Sequence, residues 1–355
     1  MSILNRYLLR QNLYYTAILL FSGMMVYLIV DFVGRMNAMV DAGIGPGLVL
    51  KYFIYKVPLI VAQIMPAIFM LGVLIQIALM SRSNELVALE SSAVSFKRPA
   101  GFFILYALVF FLVLLVFSET LGTRGEQVTR EIWNEDVRQR QADTQALKDI
   151  WFKERDYLVH VKQAQPEEGT GDAVTVYKKD SPGSIQEIIQ APEFEIQPDR
   201  WILNDAKVFQ TVTLERQVLD RLELDIRTDL SSFSFVASDL PYRAWSFFTL
   251  SALISQLKES GSNVEKLSTA LHSKIAYPFA LVVMTLLALA IFTRIRNIYS
   301  LVTLALVIVF FYYTVYVFGV SYAEEGLVAP FAGAWAANML FGSLSIIQIF
   351  FMDRR

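Results

Sequence analysis

The stretch VPLIVAQIMPAIFMLGVLIQIALMSRSNELVALESSAVSFKR (57–98) decides the fold. Its first 25 residues, 57–81, carry no charge. A helix of about 20 apolar residues crosses the hydrocarbon core of a bilayer, so this run reads as a membrane span. Outward from it, five more uncharged runs of similar size occupy 11–30, 99–118, 275–293, 297–323 and 326–352. None alternates with period two as a barrel strand would. Backbone polar groups in lipid must be satisfied within the spanning element, so the fold class is an α-helical membrane protein with six transmembrane helices. Pro58 and Pro66 in the second span and Pro278 in the fourth each remove a backbone donor. They predict kinks whose freed carbonyls need a neighbour.

The charges sit elsewhere. Apolar residues make up 55% of the 355 and charged residues 18%, with a mean hydropathy of +0.46. Soluble proteins average about 25% charged. Residues 119–274 hold 45 of the 64 charged side chains, 19 basic and 26 acidic. A soluble enzyme, a disordered chain and a nucleic-acid binder all fit poorly, since an acidic block is unsuited to a phosphate backbone. A water-exposed domain inserted between spans three and four fits well, giving a 3+3 layout.

Basic residues in the short connections set the orientation. With the N-terminus inside, the inner segments carry Arg6, Arg10, Arg82, Lys97, Arg98, Arg294, Arg296, Arg354 and Arg355, nine in all. The short outer connections carry three: Arg35, Lys51 and Lys56. Both termini are then cytoplasmic and the charged block lies outside.

Within the block, 119–147 reads as a polar helix continuing out of the third span, with Val128, Ile132 and Trp133 at helical spacing. From 151 to 226 short runs alternate in part and are separated by Gly, Pro, Asp and Ser, the mark of a two-layer or barrel-like sheet. The clearest alternation is Val218, Asp220, Leu222, Leu224 and Ile226. From Ala244 the pattern is helical, with Phe248, Ala252, Leu253, Gln256 and Leu257 expected on one face, a break at Gly261, and Ser262 or Asn263 capping the next helix. The expected organisation is spans one to three in 1–118, an outer domain in 119–243 with a β-core at about 150–230, and outer helices with spans four to six in 244–355.

Catalytic chemistry is not expected. No cysteine is present, which removes disulfides, thiolate metal sites and cysteine nucleophiles. Gly43, Gly45 and Gly47 lack the Gly-Lys-Ser/Thr that completes a phosphate-binding loop. The two histidines, His160 and His272, fall in different elements, which argues against a metal site or triad. No catalytic residue, metal or resident cofactor is assigned. Charges are also missing from the middle of every span, which disfavours ion coupling and places any energy source outside this chain.

The inner loop after the second span is the remaining candidate. Residues 83–94 contain good helix formers, Ser83 can cap their start, and Glu85 in the first turn suits the helix dipole. The pattern allows an interfacial helix resting on lipid or a docking helix for a cytoplasmic partner.

Four stretches together are similar to one family: RYLLR (6–10), the ValPro and MetPro pairs of the second span (57–58 and 65–66), RSNELVAL (82–89) and KIAYPFALVVMTLLA (274–288), with GEQ (125–127) also fitting. The chain resembles the lipopolysaccharide export permeases LptF/LptG (YjgP/YjgQ) over essentially its whole length, and 82–89 and 274–288 are more similar to the LptG branch. The resemblance implies the permease subunit of an ABC transporter in the bacterial inner membrane. It further implies a heterodimer with an LptF-type paralogue, two copies of the ATPase LptB that bind the ATP and Mg, the single-span LptC, and a periplasmic β-jellyroll that passes lipopolysaccharide toward a bridge to the outer membrane. The loop is the family's coupling helix, with Glu85 as its acidic residue. Leu86 and Leu89 are expected to pack beside it in the ATPase, with Ser83 and Glu90 flanking. Some members contact lipid phosphates with basic residues at the outer end of the first span; here Asp31–Asn37 offers only Arg35. Lys51 and Lys56 are the substitutes. Inward positions for a lipid path through the sheet are Val159, Val174, Val176, Ile188, Val208 and Leu222. A membrane-anchored sensor or scaffold is the alternative, and it leaves the even split of the six spans unexplained.

Overall fold

The computed structural model describes residues 3–352 except 139–146, 166–168, 182–183, 198–199, 212, 228–229, 231–241, 260–262 and 296. Arg296, Arg354, Arg355, Gly261 and Ser262 therefore lie outside the described residues. The chain divides into two compact units: 1–139 with 242–247 and 265–355, and 140–241 with 248–264.

The first unit is a helical bundle. Its helices are α1 (Ile3–Asp41), α2 (Pro46–Arg82), α3 (Glu85–Ser91), α4 (Lys97–Phe117), α5 (Thr123–Glu131), α7 (Glu265–Phe292), α8 (Ile298–Glu324) and α9 (Pro330–Met352). Among the described residues, six elements are long and apolar enough to cross a membrane: α1, α2, α4 continued through Val137, α7, α8 and α9. Helix α7 is the buried centre of the bundle, whereas α1 exposes Tyr14, Phe21, Val26, Ile29 and Val33. Such exposed apolar faces suit contact with lipid or with another apolar helix. The sixth span begins at Pro330, later than the uncharged run from 326 suggests. The reason is a Schellman closure of α8: Gly326 takes φ +77, Leu327 N donates to Tyr322 O and Gly326 N to Ala323 O.

The prolines of α2 leave the helix continuous, and the carbonyls three residues before them gain neighbours. Gln63 O, before Pro66, accepts from the hydroxyls of Tyr277 in α7 and Tyr313 in α8. Tyr55 O, before Pro58, lies 2.5 Å from where a Cβ on Gly125 would stand, so α5 approaches there only because position 125 has no side chain. Between α4 and α5 a π-type turn spans Ser118–Gly122, with Thr123 Oγ1 bonded to Ser118 O. Beyond α5, Ile132 is buried with Met39 and Tyr52, and Val128, Trp133 and Val137 pack beside them.

The second unit holds a six-stranded antiparallel sheet in sequential order: β1 (Leu147–Glu154), β2 (Tyr157–Gln165), β3 (Thr170–Ser181), β4 (Ser184–Gln197), β5 (Arg200–Gln210) and β6 (Arg216–Leu224). The sheet curls until its two ends meet. Arg155 Nη1 pairs with Asp225 Oδ2 at 2.7 Å, and Arg227 N donates to the Glu154 carboxylate at 2.9 Å. Inside, Phe152 lies edge-on to Trp201, and Phe194 stacks on Trp201 at 4.9 Å. This inserted antiparallel domain is jellyroll-like. Helix α6 (Phe247–Glu259) buries Leu250, Leu253 and Leu257, while Phe248 stands exposed instead of joining that face.

Candidate functional site

The bundle presents two polar sites, one at each end of α1. The first is the loop between α2 and α4. Helix α3 covers seven residues, about two turns, rather than the whole of 83–94. Its end is another Schellman closure, with Val94 N donating to Leu89 O and Ala93 N to Glu90 O, and Ala93 at φ 58. Ser83 does not cap it. Asn84 stands in the left-handed region at φ 61 between the helices, and Ser83 Oγ lies 3.0 Å from Leu79 O at the end of α2 and 2.9 Å from Glu85 Oε1. The Glu85 carboxylate also accepts from the Tyr7 hydroxyl of α1 at 2.8 Å. Leu86 and Leu89 face the bundle's own core, which leaves Val87, Ala88 and Glu90 exposed.

The second site is a cleft of about 670 Å³ lined from α1, α2, α5 and the turn after it. Four basic side chains reach it, Arg35, Lys56, Arg130 and Arg138, against two acidic ones, Asp31 and Glu126. Asp31 Oδ1 accepts from Arg35 Nε at 2.9 Å and from Lys56 Nζ at 3.0 Å. Lys56, almost buried, also donates to Tyr52 Oη at 2.9 Å. The Arg35 guanidinium stands 4.3 Å from the centre of the Trp133 ring, a cation–π distance. Arg130 pairs with Glu126 at 3.1 Å. The cleft is thus a net cationic, aromatic-walled recess, chemistry that suits an anionic ligand with a partly apolar body. Lys51 is exposed and does not line it.

A more apolar cavity of about 350 Å³ adjoins this cleft, sharing Leu59, Gln63 and Glu126 with it. Tyr277, Tyr313 and Lys274 also line it. Among the described residues, no three His, Asp or Glu side chains are grouped to hold a metal ion.

In the sheet, one continuous row runs Phe152, Val159, Val176, Ile189, Val208 and Gln217. Val159, Val174 and Val176 are fully buried on the inner face, Val208 nearly so, and Leu222 is half-buried opposite Leu203. Ile188 is a correction. It pairs with Tyr177 and Phe209 on the outer face, because the register gives the inner position to Ile189.

Composition and spacing did not single out Asp31, Arg130, Arg138, Tyr52 or Trp133 as one group. The i, i+4 spacing of Asp31 and Arg35 was the available signal; the approach of Lys56 from α2 leaves none in sequence.

A model of the family described as "Lipopolysaccharide export system permease LptF/LptG" matches residues 6–350. The lipopolysaccharide export system permease protein LptG of Escherichia coli K12 is 23% identical over 251 residues, 70% of this chain and 69% of that protein. The protein of the same description from Escherichia coli O6:H1 is similar to the same extent.

Proposed function

Because the chain belongs to the lipopolysaccharide export system permease family LptF/LptG, we propose that it is the LptG-type subunit of an ATP-driven exporter. It takes lipopolysaccharide from the bacterial inner membrane and passes it to a periplasmic bridge. In this reading α3 is cytoplasmic and the sheet domain periplasmic, in keeping with the basic inner segments. The partners are a paralogous LptF-type permease, an LptB ATPase dimer and LptC, and the ATP and Mg belong to the ATPase.

The observation that carries the reading is the pairing of an exposed two-turn loop helix at one end of α1 with a cationic cleft at the other. A lipid with phosphates and acyl chains needs cations beside apolar walls. Arg35 and Lys56 supply cations, and Trp133 and Val30 supply apolar surface. A guanidinium binds phosphate oxygens bidentately, so Arg35 is the first head-group contact. The cleft is preformed but partly neutralised: Asp31 occupies both cations until a stronger anion displaces it. The loop helix would meet the ATPase with Val87, Ala88 and Glu90 outward and Glu85 at its first turn, where it can accept charge-assisted bonds from a partner arginine. Leu86 and Leu89 then act by holding the helix on its own bundle.

Affinity purification from native membranes, with mass spectrometry of proteins and lipids, tests this reading. Co-purification of a paralogous permease, an ATPase and lipopolysaccharide is expected. Recovery with no ATPase favours a sensor or scaffold, and recovery with a different ATPase and lipid favours another exporter. Glu85→Lys is expected to lower ATPase recovery at least tenfold, the cost of losing one member of a desolvated charge pair. Glu90→Lys serves as the comparison. Loss confined to Glu90→Lys would move the anchor to the exposed face.

A further inference from the structure

The hydrogen bond from Tyr7 to Glu85 joins two segments that are 78 residues apart in the chain. Tyr7 belongs to the first turns of α1 and Glu85 opens α3. Helix α3 has little of its own to hold it. It has seven residues, no side-chain cap, and an entry through Asn84 in the left-handed region. A helix of that length does not persist alone in water. It stays in place through Leu86 and Leu89 on the core and through the carboxylate that Tyr7 and Ser83 share.

Helix α1 is built to pass on what it receives there. It is unbroken from Ile3 to Asp41. Its buried residues are Leu8, Asn12 and Thr16 near the loop end and Met39 at the other, with none fully buried between. Near the loop end Gln76 Nε2 of α2 donates to Leu8 O at 3.1 Å, and Thr16 Oγ1 lies over Gly72. The middle of α1 is therefore lightly held within this chain. Tyr7 and Asp31 stand on one rod, about 36 Å apart at 1.5 Å per residue. Asp31 and Arg35 at its far end are two of the six charged side chains that line the cleft.

We propose that the Tyr7–Glu85 hydrogen bond is a latch through which α3 loads α1, so that displacement of the loop helix is delivered along α1 to the Asp31–Arg35 pair in the cleft. Tyr7 is then a positioning residue that acts through Glu85. This rests on the exporter reading only for the source of the displacement. The latch itself is a property of the single chain.

The test separates the two. The chain has no cysteine, so Ala88→Cys gives one attachment point for a spin label on the exposed side of α3. Tyr7→Phe removes only the hydroxyl. In the purified single chain, Tyr7→Phe should mobilise the label at position 88. In the full complex with its ATPase, Tyr7→Phe should leave ATPase co-purification at the wild-type level and lower lipid released per ATP hydrolysed about three- to tenfold. An unchanged label mobility would overturn the latch. A mobilised label with wild-type lipid release per ATP would overturn the transmission along α1. Loss of ATPase binding in Tyr7→Phe would also overturn it, by placing the tyrosine in the docking surface. Failure of the exporter reading gives a different signature: no ATPase co-purifies with the wild-type chain, with the mobility result for Tyr7→Phe intact.

Discussion

Lys274 Nζ lies 2.8 Å from Glu119 Oε2, although 155 residues separate them in the chain. Glu119 and Lys274 are the first and last charged residues of the block that interrupts the spans. Their ion pair ties the third span to the fourth, on either side of the inserted domain in sequence. The other Glu119 oxygen accepts from Phe247 N, and Lys274 Nζ also reaches Thr123 Oγ1 at 3.4 Å. Both side chains are mostly buried. Lys274→Met, which leaves Glu119 without its cation, is expected to cost about 1–3 kcal/mol, below the ~3–5 kcal/mol of a fully buried pair. Thermal unfolding in detergent should show a lower midpoint for Lys274→Met and for Glu119→Gln. The double variant should lose less than the sum of the two singles.

Asp31 accepts hydrogen bonds from both Arg35 and Lys56 in the cleft. Asp31→Asn removes the carboxylate shared by Arg35 and Lys56 while keeping its shape, so anionic glycolipid should be held more tightly. Photo-crosslinking from a probe at Ala38, which lines the cleft, measures this. The yield should rise several-fold in Asp31→Asn and fall about tenfold in Arg35→Ala and Lys56→Ala. Lys51→Ala should match wild type. A larger loss in Lys51→Ala than in the other two would place the head group at the exposed end of α2 instead.

The sheet makes a graded prediction for lipid passage. Leu222 and Val208 lie toward the β6 edge, where Leu219 and Gln217 are exposed, whereas Val159, Val174 and Val176 are packed away. Acyl chains following the inner face would meet the β6 side first. Photo-probes at 222 and 208 should give ATP-dependent adducts with lipopolysaccharide, probes at 159, 174 and 176 fewer, and a probe at the outward Ile188 none. Arg155→Ala, which opens the closure between β1 and the segment after β6, should raise the yield at the buried positions. Equal yields with and without ATP, or a yield at 188 matching that at 222, would contradict a conduit.

The six spans were legible because each depends on a run of about 20 uncharged residues, a signal that needs no tertiary context. The sheet was legible as strands but not face by face. The skipped pairs between matched positions form a line across the sheet, with Asp149 at φ 53, Ala173 at φ 52 and Asp205 at φ 51 on alternate strands. At each, residues on both paired strands are left unmatched while the register continues, and the two faces exchange. That is why β2 buries Val159, Val161 and then Ala164, and why Val218 is exposed while Leu224 is buried. A single period-two count across β6 therefore mixes the two faces. The length of α3 was hidden for a similar reason, since its left-handed closing residue is Ala93 where a glycine would have announced it. The two motifs 6–10 and 82–89 were visible separately, but nothing in their spacing indicated that Tyr7 of one bonds Glu85 of the other.

We propose ATP-driven extraction of lipopolysaccharide by a complex containing this chain. The most direct measurement uses vesicles loaded with lipopolysaccharide and reconstituted with the chain and its co-purified partners, and follows the lipid remaining in the membrane after ATP is added. ATP-dependent loss is expected with the wild-type chain and none with Glu85→Lys. Equal lipid retention with and without ATP in the wild-type complex, or wild-type loss in Glu85→Lys, would contradict it.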